Sequence, residues 1–151
     1  MTDTDLIEKL NELIETSKDG EKGFEACAAD ASDGGLKAFF LEGAQRCAQA
    51  ATELLQLVIS IGGDPQTSGS LSGTVHRGWF TLKSVLSPRE NLALLDECER
   101  GEDYAKARYQ AVVDDPSLPE PVREVVQRQY QGVLMNHDRV KELRDTLRRS
   151  R

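Results

Sequence analysis

Apolar residues recur three or four positions apart in four long segments, the period of a helix with one buried face. The first segment runs from Asp5 to about Ala31 and places Leu6, Leu10, Leu13, Ile14, Ser17, Glu21, Phe24 and Ala28 on one side, with Thr4 or Asp5 as its cap. Ser32-Asp33-Gly34-Gly35 interrupts it, and the two glycines are free to take left-handed conformations. The second helix is expected from about Leu36 to Ile61, with Phe40, Gly43, Cys47, Ala50, Leu54 and Val58 inward, and it stops at Gly62-Gly63-Asp64-Pro65. Residues 66–87 are irregular: a small, polar run around Gly69 and Gly73 precedes a segment from Val75 to Leu86 that has room for a short helix. Ser87-Pro88-Arg89-Glu90 reads as a capping box that opens the third helix, which ends near Asp114-Asp115-Pro116. The fourth opens at Pro119 to Pro121 and runs to about Arg148, with Val122, Val126, Gln129, Val133, His137 and Val140 on its inner side.

Each helix is about 40 Å long at 1.5 Å per residue. Short links join the first pair and the last pair, and a long crossover, about 63–87, joins the second helix to the third. The pattern predicts an all-α, ferritin-like antiparallel four-helix bundle, with residues 1–151 forming a single domain.

Composition narrows the function. The chain has 151 residues, 30% of them charged and 5% aromatic, with a formal net charge of −7. That balance argues against nucleic acid as a partner, because phosphate neutralisation needs a basic face. The cationic cluster Arg144, Arg148, Arg149 and Arg151 suits the carboxyl end of a helix and solvent. No apolar run approaches the ~20 residues of a membrane span. An acidic start without a signal-peptide pattern leads us to expect a cytoplasmic protein. Cys27, Cys47 and Cys98 form no CxxC pair and read as reduced core residues.

The third helix departs from the plain pattern. Its inward stripe, Leu92 and Leu95, continues through Glu99 and Glu102 to Tyr109. Carboxylates three apart share a helix face, and buried ones need cationic, hydrogen-bonding or metal partners.

Three motifs carry a resemblance. Gly69-Ser70-x-x-Gly73-x-x-His76-Arg77-x-Trp79, Glu99-Arg100-Gly101-Glu102-Asp103 and His137-Asp138 resemble an uncharacterised group of bacterial four-helix-bundle proteins related to ferritins. The wider ferritin-like class holds two metal ions with one Glu on each of two helices and Glu-x-x-His on the other two. Matched to that pattern, Glu21, Glu99 and His137 stand at three ligand positions. Cys47 and Ala50 stand at the two of the second helix, and Leu134 at the one three residues before His137. The resemblance therefore implies a degenerate di-iron site. Two states of it are open: Glu21, Glu99 and His137, with Glu102, hold a single iron, manganese or zinc ion, or no cofactor is bound and a cation such as Arg46 neutralises the glutamates. The second is favoured, since an arginine would repel a divalent ion.

The crossover has two readings as well. His76 and Arg77 could be polar contacts, and Trp79 an anchor, in a ligand or partner loop. Alternatively Gly69, Gly73 and Gly78 allow a tight path, Trp79 covers the core, and His76 and Arg77 bond nearby carboxylates. There is no nucleophile–base pair and no nucleotide fingerprint. The leading expectation is a non-catalytic, stress-associated bundle acting as a homo-oligomer or with a protein partner. The alternative is a mononuclear metal-binding or redox protein.

Overall fold

The computed structural model describes residues 1–65 and 88–150, with side chains from 91 onward in the second stretch. It contains helices α1 (Asp3–Asp30), α2 (Gly34–Ser60), α3 (Pro88–Val113) and α4 (Glu120–Arg149), and no strand among the described residues. His76, Arg77, Trp79 and the expected short helix lie outside them.

Local chemistry sets the helix ends. Thr2 Oγ1 accepts from Asp5 N at 3.1 Å while Asp5 Oδ2 accepts from Thr2 N at 3.3 Å, a capping box that starts α1 two residues before the expected boundary. The break after α1 differs from expectation. Gly34 and Gly35 are the first residues of α2, and Asp33 caps it by accepting from Leu36 N at 2.9 Å. The left-handed glycine is Gly62 instead, at φ 83°. There Gly62 N donates to Ile59 O at 3.0 Å and Gly63 N to Val58 O at 2.9 Å, a Schellman end that satisfies two terminal carbonyls. Between α3 and α4, Arg123 donates to Val113 O at 2.6 Å and Asp115 O at 2.5 Å, tying the end of one helix to the start of the next.

Neighbouring helices are antiparallel. Ile7 lies against Gly63 and Cys47 against Gly20 across α1 and α2. Glu12 pairs with Arg108 across α1 and α3, and Ser32 donates to Asn91 at 3.2 Å further along. Consequently α2 ends and α3 begins at opposite ends of the bundle, the arrangement that a long crossover between them requires. The fold is an all-α four-helix bundle.

The core divides in two. One cluster joins Leu6, Leu10, Leu13, Leu54, Val58, Val112 and Val126; the other joins Phe24, Phe40, Ala44, Leu95, Cys98 and Val140. Between them lies a polar midsection. The helices also differ in how they meet: α1 packs closely on α2 and on α3, and α3 on α4, but α2 and α4 only graze one another.

Candidate functional site

Two cross-layers of side chains occupy the midsection, and each draws on all four helices. In the first, Ser17 of α1 and Tyr109 of α3 share a hydrogen bond of 3.2 Å, and the Tyr109 hydroxyl donates to Gln129 Oε1 of α4 at 2.7 Å. Gln129 Nε2 then donates to Glu53 Oε1 of α2 at 2.7 Å and to Ala50 O at 3.3 Å. Arg128 closes the layer as the ion-pair partner of Glu53. In the second layer the guanidinium of Arg46, on α2, lies over the Phe24 ring of α1 at 5.7 Å. Its Nη1 donates to Asn136 Oδ1 of α4 at 3.1 Å and its Nη2 to Glu102 Oε1 of α3 at 3.4 Å. Asn136 Nδ2 donates to the same Glu102 oxygen at 2.5 Å.

The layers are in phase along all four helices. Ser17 and Phe24, Arg46 and Glu53, Glu102 and Tyr109, and Gln129 and Asn136 are each seven residues apart, two helical turns or about 10 Å. Small residues stand in the interval: Gly20, Ala50, Ala105 and Gly132. Side chains of this size cannot span the space between the helix axes, and a cavity of about 710 Å³ opens there, bounded by both layers and walled by all four helices. Its mouth follows the seam where α2 and α4 fail to pack.

Electrostatics follow from burial. Glu102 is 3% exposed, and its Oε2 has no hydrogen-bond partner among the described residues. Desolvation raises its carboxyl to about 7, against the opposing pull of Arg46, the Asn136 bond and His137. The Cys47 thiol, on the cavity wall, is pushed up to about 12 by burial and by the charge of Glu102. A thiol at that value is not a nucleophile at neutral pH. Burial likewise raises the Tyr109 phenol, which stays neutral.

Glu99, Glu102 and His137 of the expected ligands each take different partners. The inward stripe through Glu99 and Glu102 divides: Glu102 is inside, whereas Glu99 sits at the edge of the bundle and pairs with Arg144. His137 Nε2 lies 2.6 Å from Asp103 Oδ1, and its neighbour Asn136 is the α4 residue that enters the layer. Glu21 is half-buried, and its charge acts on Cys47. Among the described residues no three His, Cys, Asp or Glu side chains gather in a way that could hold a metal ion. The donor set thus does not fit the centre that a ferritin-like fold implies. Arg46 does stand against a buried glutamate, namely Glu102. The terminal arginines, expected to face solvent, partly pair with α3: besides Arg144, Arg148 reaches Asp96 at 3.6 Å.

Sequence reasoning missed Arg46–Asn136, Glu53 and Glu97. Glu97 is 1% exposed and partnered by Arg100. Leu94, Glu97 and Gly101 form a second stripe at helical spacing, a signal present in the sequence.

The sequence model of a domain of unknown function (DUF2383) matches residues 5–115, and the chain belongs to that family. The matched span covers α1 to α3 and ends before α4. No curated protein matches the chain.

Proposed function

We propose that this protein is a non-catalytic helical bundle that binds one small organic molecule in the cavity between its two polar cross-layers. The observation that carries this reading is the cavity itself. Its 710 Å³ falls in the range of small-molecule pockets, and such sites in bundles form between helices, with mostly apolar walls and a few placed polar groups. The midsection is read as a degenerate ferritin-type centre without a metal, in which Arg46 and Asn136 serve the carboxylate of Glu102. Its chemistry supports binding over turnover. The wall thiol is protonated and the Tyr109 phenol is neutral, bonded to Ser17 and Gln129 and not to a base. Three free thiols fit action in a reducing compartment, the cytoplasm. Among the described residues no helix is long and apolar enough to cross a membrane.

The uncharged dye N-phenyl-1-naphthylamine tests the reading. It should bind saturably, at one per chain, with a rise in fluorescence, and Val133→Trp, which fills the wall between the layers, should abolish that binding. No saturable binding to the wild type would end the proposal.

A second reading, self-association, rests on a different observation. Leu41 and Ile59 on α2 and Met135 on α4 are 51%, 58% and 72% exposed. Moreover α2 carries only Lys37, Glu42, Arg46 and Glu53 as charged residues, in a chain of net charge −7. A second copy meeting this face would encounter little like-charge repulsion. Sedimentation should then show a dimer that Ile59→Glu disperses; a wild-type monomer at high concentration rules this reading out.

A further inference from the structure

The chemistry of the cavity's reachable groups identifies the class of molecule it fits. We propose that its ligand is an amphipathic organic anion, the acid group held by the guanidinium of Arg46 and the apolar body lying over Phe24, Tyr104, Ala105 and Val133. This deepens the binding proposal and rests on it.

Both arginines of the wall are open to the cavity mouth, whereas of its two carboxylates one is buried and the other is taken up by protein partners. The side chain of Arg46 is 36% exposed and that of Arg128 62%, whereas the Glu102 side chain is 4% exposed. The Glu53 side chain is 35% exposed, but one of its oxygens accepts from Arg128 and the other from Gln129. Among the described residues, a ligand entering between α2 and α4 therefore meets guanidinium groups, and the carboxylates of the wall are either buried or already bonded. Of the two arginines, Arg128 is closely neutralised by Glu53. Arg46 is not: its contact with Glu102 is long, at 3.4 Å, and the oxygen it reaches is already held by Asn136 at 2.5 Å. Two of the five guanidinium donors are used in these bonds, and the rest remain for a ligand. The Phe24 ring on one side and Asn136 on the other fix the plane of the fork. A preset fork of this kind suits two parallel bonds to a carboxylate or sulfonate.

Gly132 keeps the approach open. A Cβ there would stand 3.8 Å from Arg46 Cδ, an ordinary contact, so the glycine lies directly alongside the arginine's stem. Beyond Arg46, with Gln49 and Thr52 as polar interruptions on α2, Ala50, Tyr104, Ala105 and Val133 give the wall apolar surface over the two turns that separate the layers, about 10 Å. That is the length of a fused aromatic pair or a medium alkyl chain. The combination of one acid group and such a body defines the proposed class.

Paired fluorescence titrations of the full chain decide the matter, using 1-anilinonaphthalene-8-sulfonate and its uncharged parent, N-phenyl-1-naphthylamine. The sulfonate should bind the wild type at least about tenfold more tightly than the parent. Arg46→Met, which keeps the stem and removes the charge, should erase that preference, bringing the two dyes to equal affinity. In the wild type, octanoate should displace the sulfonate, while octylamine at equal concentration should not; this arm stands even if the variant fails to fold. Equal affinity of the wild type for the two dyes, or displacement by octylamine as readily as by octanoate, overturns the anion assignment and leaves the cavity reading intact. Failure of both dyes to bind overturns both.

Discussion

The two seams of the bundle are built differently although they pair helices of similar length. Across α1 and α3, apolar side chains meet directly, and polar contacts such as Ser17–Tyr109 sit within the packing. Across α2 and α4, long side chains reach over a gap: Arg46 to Asn136, Arg128 to Glu53 and Gln129 to the Ala50 carbonyl. A helix pair packed by its side chains is closed and rigid. A pair bridged by polar arms keeps the helix axes apart and leaves room between them, which is where the cavity lies. Stability and ligand space are thus assigned to opposite sides of one small fold.

Four measurements would break or sharpen this contrast. The largest effect is expected from Leu13→Ala on the closed side, where the residue is fully buried. Chemical denaturation should show a loss of about 2–5 kcal/mol. Val133→Ala, on the cavity wall, should cost well under half of that, and equal costs would remove the distinction between the seams.

Next is the pH response of Glu102. Its folded carboxyl is raised to about 7, against about 4.3 in the unfolded chain. Between those values the folded protein keeps a proton that the unfolded chain has lost. The stability linked to this group is therefore full below about pH 4, declines as pH rises to 7, and levels off above, over a span on the order of 3 kcal/mol. The groups bearing on it are Arg46 and Cys47 from α2, Asn136 and His137 from α4, and Asp103 beside it. Glu102→Gln should flatten that part of the profile in denaturation series from pH 4 to 8. A wild type that gains on the variant as pH rises would show a strong Arg46–Glu102 pair and a tighter open seam than proposed.

Tyr109→Phe comes third. Tyr109 joins the two seams, and its loss leaves the Ser17 hydroxyl and Gln129 without a shared partner, a cost of about 1–3 kcal/mol. The smallest effect belongs to Arg128→Ala. Its side chain is 62% exposed, and a solvated pair of that kind contributes at most about 1 kcal/mol. A larger loss would mean that the polar arms hold the bundle shut.

Much of this architecture is legible in the sequence, for reasons that particular residues make plain. The stripes of α1 to α4 named Ser17, Phe24, Glu102, Tyr109 and Gln129 as inward, since burial follows the 3.6-residue period closely. Helix ends were readable where a side chain or proline fixes them, as at Gly62 and Pro121. The break at Asp33 was placed correctly but for the wrong cause, because a glycine pair is equally compatible with a helix start. The site was less legible. Arg46, Glu53 and Asn136 flank the stripes by one position, and whether such residues turn inward depends on what the facing helix offers. His137 and Asn136 are adjacent, and only the presence of Glu102 opposite decides which of them enters. Matching to a metal-site pattern favoured the histidine; hydrogen bonding to a buried carboxylate selected the amide. Residues 66–87, with His76, Arg77 and Trp79, lie outside what the structure describes.

The seven-residue phase of the cross-layers also limits how the helices can be aligned. Apolar stripes alone tolerate sliding, since one leucine can replace another a turn away. Were α4 displaced by a single turn one way, Tyr109 would face Val125 or Val126 and Glu102 would face Gly132 or Val133; the other way, Arg139 or Val140 would come to Glu102, but Tyr109 would face Gly132 or Val133. A displacement by two turns one way would bring Asn136 to Tyr109 but set Leu143 against Glu102. The other way would bring Gln129 to Glu102 and set Val122 against Tyr109. Each misalignment strands at least one buried polar group, at about 1–3 kcal/mol apiece and more for a charged one. A single buried polar contact can fix register in a coiled coil; here two, spaced by one heptad, leave a single alignment in which both are satisfied.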